Sequence, residues 1–522
     1  MAARIDRNRR RLIAAASAGS ACAAVGAFVW RHSDIPRTAP TAIEDPVFPH
    51  PLRLPGGEGL YGIYDAGGSF TLVAKPVRQA VLAGRPATLL AYEVEQAGHI
   101  YLNPVLRVRR GTLLRVHYWN ALDETSIVHW HGLKIDTNND GHPHYAVDAG
   151  GTYDYQFTVE NRAGTYWYHP HPHHLAARQV YRGLAGFFIV DDDEELALRN
   201  ALGLALGTTD IPLMIHDKRI DDHGALLYAP GKHERMHGHY GDRVLVNLTP
   251  APRLDVETRI YRLRLLNASN ARIYRLAFLH GERALDFTVI GGDGGLLAQP
   301  VAARELFLAP AERADVLLDL SSADAGDRVT LASLPFDFMQ GNPLPSALPC
   351  VPLGLLLFRV VRRARFAATM PRTLSALEPV EAGNGPTRRF TLDFRAGAWR
   401  INGASYRMSE TAFSVKRGTR EVWEFSSGGT PTPHPIHVHG HQFRMLERRT
   451  TAAHMRGAYT HPNGLAPMEL GWKDTALLWP GETIRLAMDF SHAYAGDQVY
   501  MLQCHNLEHE SHGMMVNFRV SA

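Results

Sequence analysis

The chain has 522 residues, of which 45% are hydrophobic and 20% charged, with a formal net charge of +3. That length allows about three domains of ordinary size, each with a sizeable core. The near-neutral balance argues against a nucleic-acid partner, and three scattered cysteines, Cys22, Cys350 and Cys504, argue against a disulfide framework.

The chain opens on a basic segment containing Arg4, Arg7 and Asn8-Arg9-Arg10-Arg11-Leu12-Ile13, then an Ala-rich, mildly apolar run over residues 12–30. Paired arginines ahead of a weakly hydrophobic stretch form the pattern of a twin-arginine export signal. The alternatives are a basic tail or a retained membrane anchor, since the run approaches spanning length. Its many Ala, Gly and Ser residues favour export, to the periplasm or outside the cell, with no stable membrane association afterwards. Cys22 is a poor lipid-attachment site because Gly19, not Leu or Val, stands three residues before it.

From about residue 45 the chain reads as short strands separated by turns, with little helical periodicity. Residues 106–116 hold alternating runs around Gly111, and residues 261–266 and 314–320 repeat the style. Frequent short strands between Gly and Pro turns indicate an all-β protein built of β-sandwiches. Charged stretches at Asp191-Asp192-Asp193-Glu194-Glu195 and Arg362-Arg363-Ala364-Arg365 suggest linkers. They divide the chain into a signal and linker over 1–45 and domains over 46–205, 206–370 and 371–522. Cys350, in a Pro-rich stretch, reads as an unpaired structural thiol.

Histidines carry the chemistry. His129/His131, His169/His171 and His437/His439 are pairs two residues apart, and Gln503/His505 has the same spacing. In a strand, positions two apart share a face, so each pair aims two groups into one cavity. Cys504 lies between Gln503 and His505 and must face the other way, as must His434, three residues before His437. A single His-x-His is ordinarily a surface or structural feature; these four two-apart pairs together, three of them His-x-His, are hard to obtain from packing alone.

The end of the chain completes the pattern, with His509 five residues after Cys504 and Met514 ten after it. A thiolate, two imidazoles and a thioether are the ligand set of a blue-copper site. The C-terminal strand therefore separates a mononuclear copper site at Cys504 from a histidine cluster, with Cys504 and His505 joining them through the backbone.

These motifs resemble those of the multicopper oxidases. So do Gln179-Val180-Tyr181-Arg182-Gly183-Leu184-Ala185-Gly186, Leu263-Arg264-Leu265-Leu266-Asn267-Ala268-Ser269-Asn270-Ala271-Arg272 and Ile290-Gly291-Gly292-Asp293-Gly294-Gly295. Gly471-Trp472-Lys473-Asp474-Thr475 is similar to the bacterial laccase and bilirubin-oxidase branch. The resemblance implies three cupredoxin-like Greek-key β-sandwich domains and four coppers, with the cluster between domains 1 and 3. It implies type 1 ligands His434, Cys504 and His509 with Met514 axial, and type 2 ligands His129 and His437. It places His131, His169, His171, His439 and His505 at type 3 positions, and makes Asp140 and Glu510 the acids that deliver protons to oxygen. His441 is expected to support the motif, and His173 and His174 to be loop residues.

One position departs from the family. Gln503 stands where the resemblance implies a type 3 histidine, beside His171 and His439, and an amide oxygen is a harder, weaker copper donor than imidazole. Water and another histidine, such as His512, are the candidate replacements. The expected activity is oxidation of phenols or aromatic amines coupled to reduction of O₂ to water, by a monomer whose partners are a small-molecule donor and O₂. The alternatives are a copper-binding or structural protein with a degenerate cluster, and a Cu(I) or Fe(II) oxidase. Against the last, the 13 methionines form no Met-rich run. Residues 334–348 and 450–469 are the expected walls of the donor pocket.

Overall fold

The computed structural model describes residues 47–82, 84–336, 352–378, 385–449 and 458–522. The export segment, Cys22 and Cys350 lie outside the described residues, as do residues 337–348 and 450–457 of the two expected pocket walls. About half the chain is strand and less than a tenth helix, so the all-β expectation holds.

Six sheets fall into three consecutive pairs. The first pair runs from Gly59–Leu60 to Gly186–Asp191, the second occupies Asp210–Lys218 to Leu353–Arg362, and the third Thr387–Arg395 to Met515–Ser521. A two-residue strand, His50–Pro51, crosses to the second pair by pairing with Pro252–Glu257. Each pair encloses its own apolar core, centred on residues such as Leu72, Val116 and Phe188, then Leu263, Val316 and Phe358, then Trp423, Leu486 and Phe518.

Gly111 marks a corner, not a hairpin. Val105–Arg109 pairs with Gly186–Asp191, whereas Leu113–Asn120 joins the facing sheet beside Thr152–Thr158. Leu113–Asn120 alternates strictly between exposed and buried side chains, as a strand with one wet face must.

The middle strands differ from that pattern. Every residue of Ile260–Asn267 is buried, because its second face meets the first sheet pair, where Trp167, Phe187 and Ile189 share a cluster with Met214 and Leu266. The arginines that alternation would place in water are enclosed with partners. Arg264 Nε donates to Asp210 Oδ1 at 2.7 Å and its Nη2 to Glu195 Oε1 at 2.6 Å, while Arg262 bridges Glu195 and Asp315. Buried charges persist only when paired in this way.

The acidic stretch around residue 193 is likewise more than a linker. Asp192 caps a helix over Asp193–Leu202 by accepting from Glu195 N at 3.0 Å, and three acidic residues occupy the first turn, where the helix dipole favours them. Glu195 is thereby turned inward onto the arginines.

The last sheet sets the site. Gln498–Cys504 lies between Met515–Ser521 and His434–Val438, in a register that places Ile436 opposite Cys504 and His437 opposite Gln503. Cys504 and Ile436 share the face toward the third core, and Gln503 and His437 share the opposite face. Separation of the thiol from the cluster is therefore a consequence of strand register.

Candidate metal centre

Behind Cys504 the chain makes one short helix, Leu507–Ser511, capped by the Asn506 side chain, which accepts from Glu508 N and His509 N. The helix carries His509 back over the strand end. Met514 is then fixed by backbone bonds, its N to His509 O at 2.9 Å and its O accepting from Cys504 N at 3.0 Å. A five-residue and a ten-residue spacing thus return to one point, and Cys504 and Met514 lie together in the third core.

At that point Cys504 Sγ lies 3.5 Å from His434 Nδ1 and 3.5 Å from His509 Nδ1. His509 Nε2 donates to Met236 O at 2.9 Å, and a carbonyl can only accept, so Nδ1 presents its lone pair to the sulfur. His434 is held by Thr430 Oγ1 at 2.9 Å from its Nε2, and Trp399 packs its ring on His509 at 4.0 Å between centroids. Burial pushes the thiol pKa up and holds His434 down to about 3. A thiolate forms there only against a cation that compensates its charge.

The histidine cluster lies between the first and third sheet pairs. His129 and His131 come from Val128–His131, His169 and His171 from the end of Gly164–Pro170, His437 and His439 from the end of His434–Val438, and His505 follows Cys504. All seven are buried. In three of the four pairs the second member falls just beyond its strand, where the backbone still projects it inward.

Hydrogen bonds fix which nitrogen each ring presents. His129 Nδ1 donates to Asp140 O at 2.6 Å and His437 Nδ1 to Asp474 O at 2.8 Å, which leaves two Nε2 lone pairs facing each other at 3.4 Å. His169 Nδ1 donates to Pro170 O at 3.0 Å and His131 Nε2 to Asp474 Oδ1 at 3.0 Å, so their free nitrogens meet at 3.3 Å. His505 Nε2 closes the same group at 3.4 Å from His169 Nε2. Acceptors converging at such distances repel unless a cation sits among them. Burial holds the rings neutral, with His129 pushed down to about 4 and His505 to about 3. Neutral imidazole is the metal-binding form.

The third group contains the departure. His439 Nδ1 donates to Asp140 Oδ2 at 2.7 Å and leaves its buried Nε2 with no partner. His171 Nε2 lies 3.0 Å from Gln503 Oε1, and His171 Nδ1 and Gln503 Nε2 are also buried without partners. An unsatisfied buried polar atom costs about 1–3 kcal/mol, so these atoms mark a place for something polar. The donor set fits copper at the thiolate site and among the histidines.

Two acids border the cluster. Asp140 is fully buried and pushed up to about 6 by burial, while Glu510 Oε1 lies 3.7 Å from His171 Nε2 and its carboxyl is raised by burial and by the charge of Glu508. Gly141, at φ +81°, lets the turn after Asp140 pass against Val128 and His129, where any Cβ would overlap their backbone.

The histidines outside the cluster are committed elsewhere. His441 Nδ1 bonds to His439 O at 3.1 Å, His173 stacks on His174, and His512 Nδ1 donates to Glu508 O at 2.7 Å. The residue that meets Gln503 is His171, not His512.

Asp474, inside the segment Gly471-Trp472-Lys473-Asp474-Thr475, belongs to the site although its spacing from the histidines gives no sign of it. Asp474 orients His131 and His437, and Arg313 holds its carboxylate from the middle domain, with Nη1 to Oδ1 at 2.8 Å. Gly132 must be glycine, since a side chain there would overlap that carboxylate. Thr430, Met236 and Trp399 carry no local signal.

The multicopper oxidase family pattern matches residues 91–195 and again residues 377–522. Among curated relatives, the multicopper oxidase mco of Staphylococcus aureus is 30% identical over 87% of this chain and 88% of its own. A laccase of Bacillus stratosphericus is 33% identical over 75% of this chain and 79% of its own. Among solved structures, the McoA multicopper oxidase of the hyperthermophile Aquifex aeolicus superposes with a TM-score of 0.82 at 38% identity, covering 91% of this chain and 99% of that one.

Proposed function

The chain belongs to the multicopper oxidase family, which binds four coppers, and from that premise we propose that it oxidises phenols or aromatic amines at the expense of dioxygen. We assign His434, Cys504, His509 and Met514 to the type 1 site and His129 and His437 to the type 2 site. His131, His169 and His505 hold one type 3 position, and His171, His439 and Gln503 the other. Copper bound at these residues would accept single electrons at the thiolate and supply four electrons to dioxygen, which with four protons gives two waters.

The observation that carries this reading is the adjacency of Cys504 and His505. The sulfur faces His434 and His509, while the next side chain points its Nε2 into the cluster. One peptide link therefore joins the residue that receives an electron to a residue that holds the oxygen-reducing group. The remaining residues serve orientation and protons. Asp474 and Asp140 fix ring tautomers, apolar burial excludes water, and Glu510 holds a proton at its carboxyl beside His171.

Copper-loaded protein should take up oxygen with phenols and aromatic amines, and more slowly with bilirubin or Cu(I). Uptake with Cu(I) alone would assign a metallo-oxidase instead. Absence of uptake with every donor would favour the second reading, a copper-binding protein whose cluster is impaired at Gln503.

Glu510→Gln and Asp140→Asn test proton supply, because an amide cannot deliver a proton to oxygen. Each should lower turnover by about a hundredfold, the range of a lost general acid, while the donor still bleaches the blue site at the parental rate. Turnover equal to the parent in both variants would remove these acids from the mechanism. We propose further that the basic start exports the chain and that it works as a monomer. No helix among the described residues is long and apolar enough to cross a membrane.

A further inference from the structure

The direct approach to His509 is covered. Its Nε2 is bonded to Met236 O, Trp399 lies on its ring, and the residue is fully buried. A second approach runs through Tyr228. Its Oη donates to Glu508 Oε1 at 3.0 Å, its ring packs against the small cluster of Ala177, Val180 and Leu507, and Glu508 is the residue before His509. On its other side Tyr228 forms part of the wall of a cavity of about 660 Å³. That volume is ordinary for a small-molecule site.

The cavity is basic. Arg78, Arg178 and Arg182 line it together with Pro86 and Leu226. Arg178, in the helix Ala176–Tyr181, shares its charge with Glu124 at 2.8 Å. Arg78 and Arg182 have no ion pair among the described residues. The backbone of Arg182 is fixed, since its carbonyl accepts from Leu90 N at 2.9 Å. Two guanidinium groups without counter-ions beside an aromatic ring and two apolar side chains suit one kind of small molecule, an aromatic ring bearing a carboxylate or sulfonate.

We propose that this cavity is the donor-binding site and that it selects anionic aromatic donors, with the acid group on Arg78 and Arg182 and the ring against Tyr228. The inference rests on the oxidase reading above and names the substrate class of that activity. It also differs from the expected walls at residues 334–348 and 450–469.

The test compares 4-hydroxy-3,5-dimethoxybenzoate with its neutral counterpart 2,6-dimethoxyphenol on the full chain and on the double variant Arg78→Ala, Arg182→Ala. Calorimetry on the copper-loaded protein should show the benzoate binding about tenfold more weakly to the variant, the effect of losing partly exposed charged hydrogen bonds. The ratio of kcat/KM for benzoate over phenol should fall by the same factor, through KM and not kcat. An unchanged unfolding midpoint in the variant excludes a collapsed cavity. Equal benzoate affinity and an unchanged ratio would overturn the proposal. A calorimetric difference with no oxygen uptake from either donor in the parent would leave the anion site standing and remove the oxidase reading.

Discussion

Cys504→Ser is expected to abolish the blue colour and the oxygen uptake together. The intense visible band of a cupric thiolate arises from charge transfer out of sulfur, and a serine oxygen supplies no such donor. The side chain is fully buried between the His434 and His509 nitrogens, and the nearby Met514 carries a thioether, which cannot become a thiolate and so does not replace it. The backbone bond from residue 504 to Met514 O does not depend on the side chain, so the strand and the following helix should persist. Turnover should fall to background because electrons no longer have a point of access, while the cluster histidines still retain copper. A visible band surviving in the copper-loaded variant would remove Cys504 from the type 1 site.

The second large effect is expected at Gln503, and here the change is a gain. Gln503 meets His171 on the cluster side of the strand, opposite His437, while Cys504 faces the other way. Replacing an amide oxygen by an imidazole nitrogen supplies the better copper donor, and histidine differs little from glutamine in bulk. Gln503→His should raise copper affinity at that position by at least about tenfold, the scale on which changes around a metal site act. Oxygen turnover should rise with it, and the type 1 spectrum should stay as it is. A variant that gains neither copper nor turnover would show that the amide already suffices, and the impaired-cluster account would fall.

The convergence of these side chains on two sites was legible in the sequence because strand geometry has a period of two and the turn after Cys504 is short. Parity separated Cys504 and His434 from the cluster side chains, and the observed register of Ile436 with Cys504 gives that separation its physical form. The spacing of His509 and Met514 follows from a single helical turn capped by Asn506. The supports were not legible, since they come from distant parts of the chain. Arg313 reaches Asp474 from the middle sheets, Met236 lies 273 residues before His509, and no local pattern announces either. The buried arginines were misleading for a related reason. Arg262 and Arg264 alternate with apolar residues as on a wet face, but a second domain and the helix bearing Glu195 cover that face. Alternation records the two faces of a strand and not what later packs against them.

Coupling of single-electron oxidation at Cys504 to complete reduction of oxygen at the histidine cluster fixes a stoichiometry. Its most direct measurement is the ratio of donor oxidised to oxygen consumed by the copper-loaded protein, with hydrogen peroxide assayed in parallel. Four equivalents of one-electron donor should be oxidised for each O₂, with no peroxide, however slow Gln503 makes the turnover. Two equivalents with stoichiometric peroxide, or donor oxidation without oxygen consumption, would contradict it.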